Sequence, residues 1–163
     1  MDRAQLRGHW DSGRLPDLIG LLARLILGVT LVVAGGIKVT SPALSAQAVR
    51  AFQILPWDLA GYLGYALPVV EILVGLLLVT GLMTRASAVV GGLLMLAFII
   101  GIISVWVRGL SIDCGCFGGG GAIAATQTQY LKDVLRDVGL VACAAWLFVR
   151  PRTAYSLDHR LFG

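Results

Sequence analysis

The stretch SIDCGCFGGGG, residues 111–121, holds two of the chain's three cysteines, an aspartate and a run of four glycines. Two thiols separated by one residue suit three kinds of chemistry: thiol-disulfide exchange, capture of a soft metal, or a tight structural turn. Exchange requires a thiolate that attacks a disulfide sulfur, so it needs a second thiol in reach and a setting that favours the charged form. A Cys-X-Cys pair closes a smaller ring than Cys-X-X-Cys, so a disulfide between Cys114 and Cys116 is expected to be strained and easily reduced. Arg108 and Lys132 flank the loop with positive charge that favours a thiolate, whereas Asp113 opposes it. Glycines at 115 and 118–121 let the backbone kink around the sulfurs and swing toward a partner.

The other chemistries have fewer residues to draw on. A closed zinc or similar site takes roughly four ligands, and only Asp113 is a local third ligand. Both histidines, His9 and His159, lie in the terminal tails. No metal site is assigned, although a soft-metal site stays open as an alternative. A phosphate cradle needs Gly-Lys-Ser/Thr after the glycines, and that is missing.

The elements that must hold this loop are greasy. Of the 163 residues, 58% are hydrophobic and 13% charged, and the mean hydropathy is +0.86, values that place the chain in a bilayer. Crossing the hydrocarbon core as a helix takes about 20 apolar residues. Residues 18–37 are interrupted only by Arg24, residues 59–83 only by Glu71, and residues 86–107 carry no charge. A fourth span is read over 131–149, with Lys132, Asp133, Arg136 and Asp137 crowded into its first two turns, where they reach the interface or partners in the bundle. The first span stays as an anchor, because its apolar run exceeds the roughly 7 to 15 residues of a signal peptide. Small residues inside the spans, such as Gly28 and Gly75, are expected to serve close helix packing.

Lys and Arg counts orient the bundle. The N-terminal tail, the connection at Arg85 and the C-terminal tail carry seven positive residues, against four in the loops 38–58 and 108–132. Both termini are therefore expected in the cytoplasm and the cysteine loop outside it, where disulfides persist. The net charge of +4 is explained by this basic rim next to anionic lipid, without nucleic acid. Residues 1–16 read as a polar, poorly ordered cytoplasmic tail, 17–150 as the membrane domain and 151–163 as a basic cytoplasmic tail.

Between the first two spans, Leu44, Ala48, Ala51 and Leu55 recur near helical spacing, opened by Pro42 and closed by Pro56. This is an amphipathic surface helix on the cysteine-loop side, placed to cover that loop, with Trp57 and Tyr62 at interfacial depth. An unpaired charge in mid-membrane costs at least ~2.5 to 3.5 kcal/mol, so Glu71 needs a partner, with Arg24 expected first and Arg136 second. That pair either fixes helix register or forms a proton or quinone site coupled to thiol oxidation. Asp133, Arg136 and Asp137, at i, i+3 and i+4, read as a local architectural set. Cys143, twelve residues into the fourth span and so about 18 Å deep, reads as a small buried residue.

The segments RLILGVTLVVAGGIKVTSP (24–42), AFQILPW (51–57), LPVVEILVGLLLVTGLMTR (67–85), RGLSIDCGCFG (108–118) and LRDVGL (135–140), in this order, resemble the MauE branch of the DoxX-like membrane proteins. The resemblance covers about residues 15–150, and DCGCFG is its most specific element. It implies an all-α, four-helix bundle in a bacterial plasma membrane, tied to thiol-disulfide metabolism and served by an extracytoplasmic thioredoxin-fold, DsbA-like partner. MauE itself is linked to maturation of the disulfide-rich small subunit of methylamine dehydrogenase, and DoxX-like relatives to sulfur oxidation and the quinone pool. The resemblance marks Cys114 and Cys116 as the redox pair, and Arg24, Lys38, Glu71, Arg85, Arg108 and Asp137 as characteristic polar positions. The expected function is electron exchange between that partner and the Cys114/Cys116 pair, with quinone as an optional carrier. A non-catalytic docking scaffold is the alternative from another class.

Overall fold

A computed structural model describes residues 3–115, 119–124 and 128–150. Cys116, one of the two loop cysteines, lies outside them. The elements in chain order are helices α1 (Arg3–Val39), α2 (Pro42–Ala51), α3 (Trp57–Thr80) and α4 (Thr84–Val107), strands β1 (Ile112–Asp113) and β2 (Gly121–Ala122), and helix α5 (Tyr130–Val149). Three helical stretches, Leu15–Val39, Trp57–Thr80 and Thr84–Val107, are long and apolar enough to cross a membrane. They match the first three spans read from the sequence to within a few residues. α1 differs at its start: the helix already runs from Arg3 and passes through Pro16, where a poorly ordered tail is expected.

Glycine sets the spacing of α1 and α3. A Cβ placed on Gly75 would stand 2.7 Å from the Gly28 carbonyl oxygen, and one on Gly35 would stand 2.7 Å from the Pro68 carbonyl oxygen. The helices are thus antiparallel with their backbones nearly touching, as small-residue seams in membrane helices are. α5 lies along α4 and α1. Ala23, Leu27, Leu31, Val74, Leu78, Met95, Leu140 and Leu147 form the buried centre between these helices. Larger apolar side chains such as Ile26, Leu73, Leu93 and Ile100 point outward and are about half exposed or more. A surface of this kind is solvated by lipid, since in water so much contiguous apolar area would drive association.

One end of the molecule collects the end of α1, the starts of α3 and α5 and the end of α4, with α2 and the strands lying over them. α2 packs on α3 through Gly64, where an added Cβ would meet the Ala46 Cα at 2.4 Å. The Ser45 Oγ donates to the Gly64 carbonyl oxygen at 2.7 Å. The buried face of α2 is Ser45, Ala46 and Ala48, while Leu44 is 43% exposed and Leu55 39%. Of the expected apolar stripe Ala48 is buried and Ala51 half-buried, Leu44 faces outward, and Leu55 lies beyond the end of α2 at Ala51. Trp57 and Tyr62 are exposed.

The chain is not wholly helical. β1 and β2 form an antiparallel ribbon in which Ile112 faces Ala122 and Asp113 faces Gly121. No alternation of polar and apolar residues announces such short strands, and tertiary contacts hold them. The Tyr130 hydroxyl donates to the Leu110 carbonyl at 2.6 Å and accepts from the Ile112 amide at 2.9 Å. Tyr130, Ile102, Val105 and Ile112 are buried together beneath the ribbon.

Candidate functional site

Cys114 follows β1 directly. The Asp113 carboxylate accepts the Gly115 amide at 2.9 Å, fixing the turn just after the cysteine. Gly115 has φ +68°, and a Cβ there would stand 2.5 Å from the Ala48 Cβ, so both its conformation and its contact with α2 demand glycine. α2 therefore covers the loop as expected.

The Cys114 Sγ donates to the Asp133 Oδ2 at 3.5 Å, a hydrogen-bonding distance for sulfur. Asp133 belongs to the first turn of α5, 19 residues on in the chain. Its other oxygen, Oδ1, accepts from the Arg136 Nη1 at 3.2 Å. Asp113, Cys114, Gly119, Gln129, Asp133 and Arg136 line a cavity of ≈ 230 Å³. A thiol thus stands at a cavity with a carboxylate against it and a guanidinium on that carboxylate's far side. Such a setting gives the thiol proton an acceptor, and the guanidinium offsets part of that carboxylate's charge.

Arg136 leads from this cavity into the helices. Its Nε donates to the Asp137 Oδ1 at 2.9 Å. Asp137, 1% exposed, shares a small interior cavity of ≈ 10 Å³ with Lys38, Glu71 and Phe98. There the Lys38 Nζ lies 2.6 Å from the Glu71 Oε1, with the two side chains 4% and 0% exposed. The Phe98 ring adds a cation–π contact, 5.2 Å from the Lys38 Nζ.

Lys38 is thus the partner of Glu71, and neither Arg24 nor Arg136 is. Helix register explains the difference. Glu71 is level with Gly35, since a Cβ on Gly35 would stand 3.0 Å from the Glu71 Cβ. Arg24 lies eleven residues below, about 16 Å along the helix, and its side chain leans further away toward the N-terminus. Lys38 lies one turn above Gly35 and leans back down. Glu71, on an antiparallel helix, leans up to meet it.

Of the remaining marked residues, Arg24 is buried in α1 at 3% exposure. Arg108 donates to the Gln53 carbonyl at 3.4 Å, to the Ser104 carbonyl at 3.2 Å and to the Phe52 carbonyl. It therefore clamps the end of α4 to the connection between α2 and α3 and does not line the cysteine cavity. Lys132, the other flanking cation, donates to the Gln129 Oε1 at 3.1 Å. The cation at the cysteine cavity is Arg136. Arg85 rests on the Phe148 ring, 4.7 Å from its centroid. Cys143 is half-buried and packs against the central apolar cluster.

Sequence reading missed Asp133 and Tyr130 as parts of the site. The only signal available was the placement of Asp133, Arg136 and Asp137 on one face at the start of α5, the end nearest the loop. Among the described residues, no group of three or more His, Cys, Asp or Glu side chains is placed to hold a metal ion.

A separate groove of ≈ 530 Å³ runs between α3 and α4 under the end of α2. Every lining side chain is apolar, Leu63, Val70, Phe98 and Ile100 among them. It suits a hydrocarbon chain and supplies no side-chain donor to the carbonyls of a quinone head group.

These features define a polytopic helical membrane protein whose cysteine-bearing ribbon is anchored on the ends of its helices. Residues 16–150 match the family described as Methylamine utilisation protein MauE, and the chain belongs to that family. No curated protein and no solved structure matches the chain.

Proposed function

We propose that the protein is a thiol-disulfide redox component of the membrane that exchanges electrons with a thioredoxin-fold partner outside the cytoplasm through Cys114 and Cys116. The observation that carries this reading is the Cys114 sulfur at a cavity, 3.5 Å from Asp133, with Arg136 beside that carboxylate. Membership of the MauE family supports it. In this reading α5 is the fourth span of the bundle, both termini lie in the cytoplasm, and the ribbon faces outward from a bacterial plasma membrane.

In the forward direction the Cys114 thiolate attacks a disulfide of the partner. A mixed disulfide forms, the partner's second sulfur leaves as a thiolate, and the Cys116 thiolate attacks Cys114 to release the partner as a dithiol. Two electrons pass to the partner, and the membrane protein keeps a disulfide between Cys114 and Cys116. The reverse direction runs through the same mixed disulfide. The apolar groove between α3 and α4 suits a lipid chain, and the steps above use no quinone.

Mixed-disulfide trapping in the native host tests this function. Cys116→Ser is expected to accumulate a covalent adduct between Cys114 and a thioredoxin-fold protein, dissolved by reductant. No adduct from either Cys114→Ser or Cys116→Ser would leave a docking scaffold as the better account. Labelling intact cells with an impermeant maleimide is expected to reach Cys114; labelling only after lysis would overturn the orientation.

A further inference from the structure

We infer that Asp133 is the proton-transfer residue of the Cys114 thiol, an assignment that rests on the redox reading above. Three observations carry it. The Asp133 Oδ2 is the acceptor of the Cys114 thiol, at 3.5 Å. Its other oxygen is held by Arg136 at 3.2 Å, so the carboxylate is oriented with one oxygen on the guanidinium and one on the sulfur. Both groups line the same ≈ 230 Å³ cavity, so an incoming disulfide that reaches Sγ also reaches Asp133.

Among the described residues, the other titratable groups nearby make their hydrogen bonds elsewhere. Asp113 uses its Oδ1 on the Gly115 amide, and Lys132 donates to Gln129. Glu71 and Lys38 pair with each other behind Asp137, and α4 contributes no titratable side chain to the lining of either cavity. Asp133 is thus the carboxylate placed at the reacting sulfur.

The step balances as follows. The Cys114 thiol gives its proton to the Asp133 carboxylate, and the thiolate attacks one sulfur of a disulfide. The new sulfur-sulfur bond forms as the old one breaks, and the leaving thiolate takes the proton back from the Asp133 carboxyl. Asp133 ends as it began, and the incoming disulfide is the oxidant. Arg136 positions Asp133 and offsets the negative charge that develops beside it.

The test uses the full-length protein in phosphatidylcholine nanodiscs with Cys116→Ser and Cys143→Ala, so that the reaction stops at one mixed disulfide. The probe is glutathione disulfide, and the adduct is followed by mass. Adding Asp133→Asn is expected to slow adduct formation about 100-fold, the scale of lost proton transfer. Alkylation of Cys114 by a maleimide at about pH 10, where thiols ionise without an adjacent base, should be unchanged or faster, because a neighbouring negative charge has been removed. Asp133→Glu should restore most of the exchange rate. Equal exchange rates with and without Asp133→Asn would overturn the inference. Parallel loss of exchange and alkylation would also overturn it, because the residue would then act by holding the loop in shape. If the parent protein with Asp133 intact forms no adduct while its sulfur alkylates normally, the redox reading itself fails.

Discussion

The α1–α3 seam and the cysteine end are built on opposite principles. At the seam two helices touch backbone to backbone at Gly28 and Gly75, and the charges near it, Lys38 and Glu71, are almost fully removed from solvent. At the ribbon end Asp133 and Arg136, three residues apart on α5, remain 21% and 28% exposed beside a cavity. A buried pair tolerates no vacancy, because the survivor is a charge without solvent. A partly exposed pair can lose a member and let water take its place. The seam is therefore where stability is concentrated, and the ribbon end is where chemistry can vary. Arg136 joins the two, with one nitrogen on Asp133 at the cavity and another on Asp137 inside.

The contrast can be broken most forcefully at the buried pair. Lys38→Met strands Glu71 in the interior and is expected to cost about 3–5 kcal/mol, measured as the shift in denaturant midpoint in detergent micelles. The double variant Lys38→Met/Glu71→Leu is expected to recover most of that loss. A double variant as unstable as the single one would show that the pair does more than satisfy burial.

Gly75→Val tests the seam's geometry. The added side chain meets the Gly28 carbonyl and Val32, and the separation it forces is expected to cost about 1–3 kcal/mol in the same assay. An unchanged midpoint would mean that the helices are not in register as described.

At the other end, Tyr130→Phe removes the hydroxyl that joins Leu110 to Ile112. About 1–2 kcal/mol is expected, confined to the ribbon. Hydrogen exchange should rise at Ile112 and neighbouring amides with little change in α1 and α3. Exchange rising throughout would erase the distinction between the two regions.

Arg108→Gln should have the smallest effect. The clamp from α4 to Phe52 and Gln53 is exposed, so less than about 1 kcal/mol is expected. Maleimide reactivity at Cys114 should stay close to the parent's, since Arg108 does not line that cavity. A large drop in reactivity would return Arg108 to the cysteine site.

Local composition was enough to read the class of protein. Uninterrupted apolar runs require lipid and a helical backbone, because every amide in hydrocarbon must be bonded within its own segment. The three spans, the α2 helix between the first two and its position over the cysteine loop followed from residue types and spacing. So did the need of Glu71 for a partner, because the cost of a lone charge in mid-membrane does not depend on the fold. The partner's identity depended on where two antiparallel helices align and which way their side chains lean. Gly28 against Gly75 sets that alignment, so Lys38 meets Glu71 and Arg24 does not. The Cys114–Asp133 contact, between residues 19 apart, likewise exists only because Tyr130 and α2 press the ribbon onto the start of α5. Apolarity is a property of each segment and can be read along the chain, whereas a contact between segments depends on axial register, side-chain lean and tertiary packing, which only the folded structure decides.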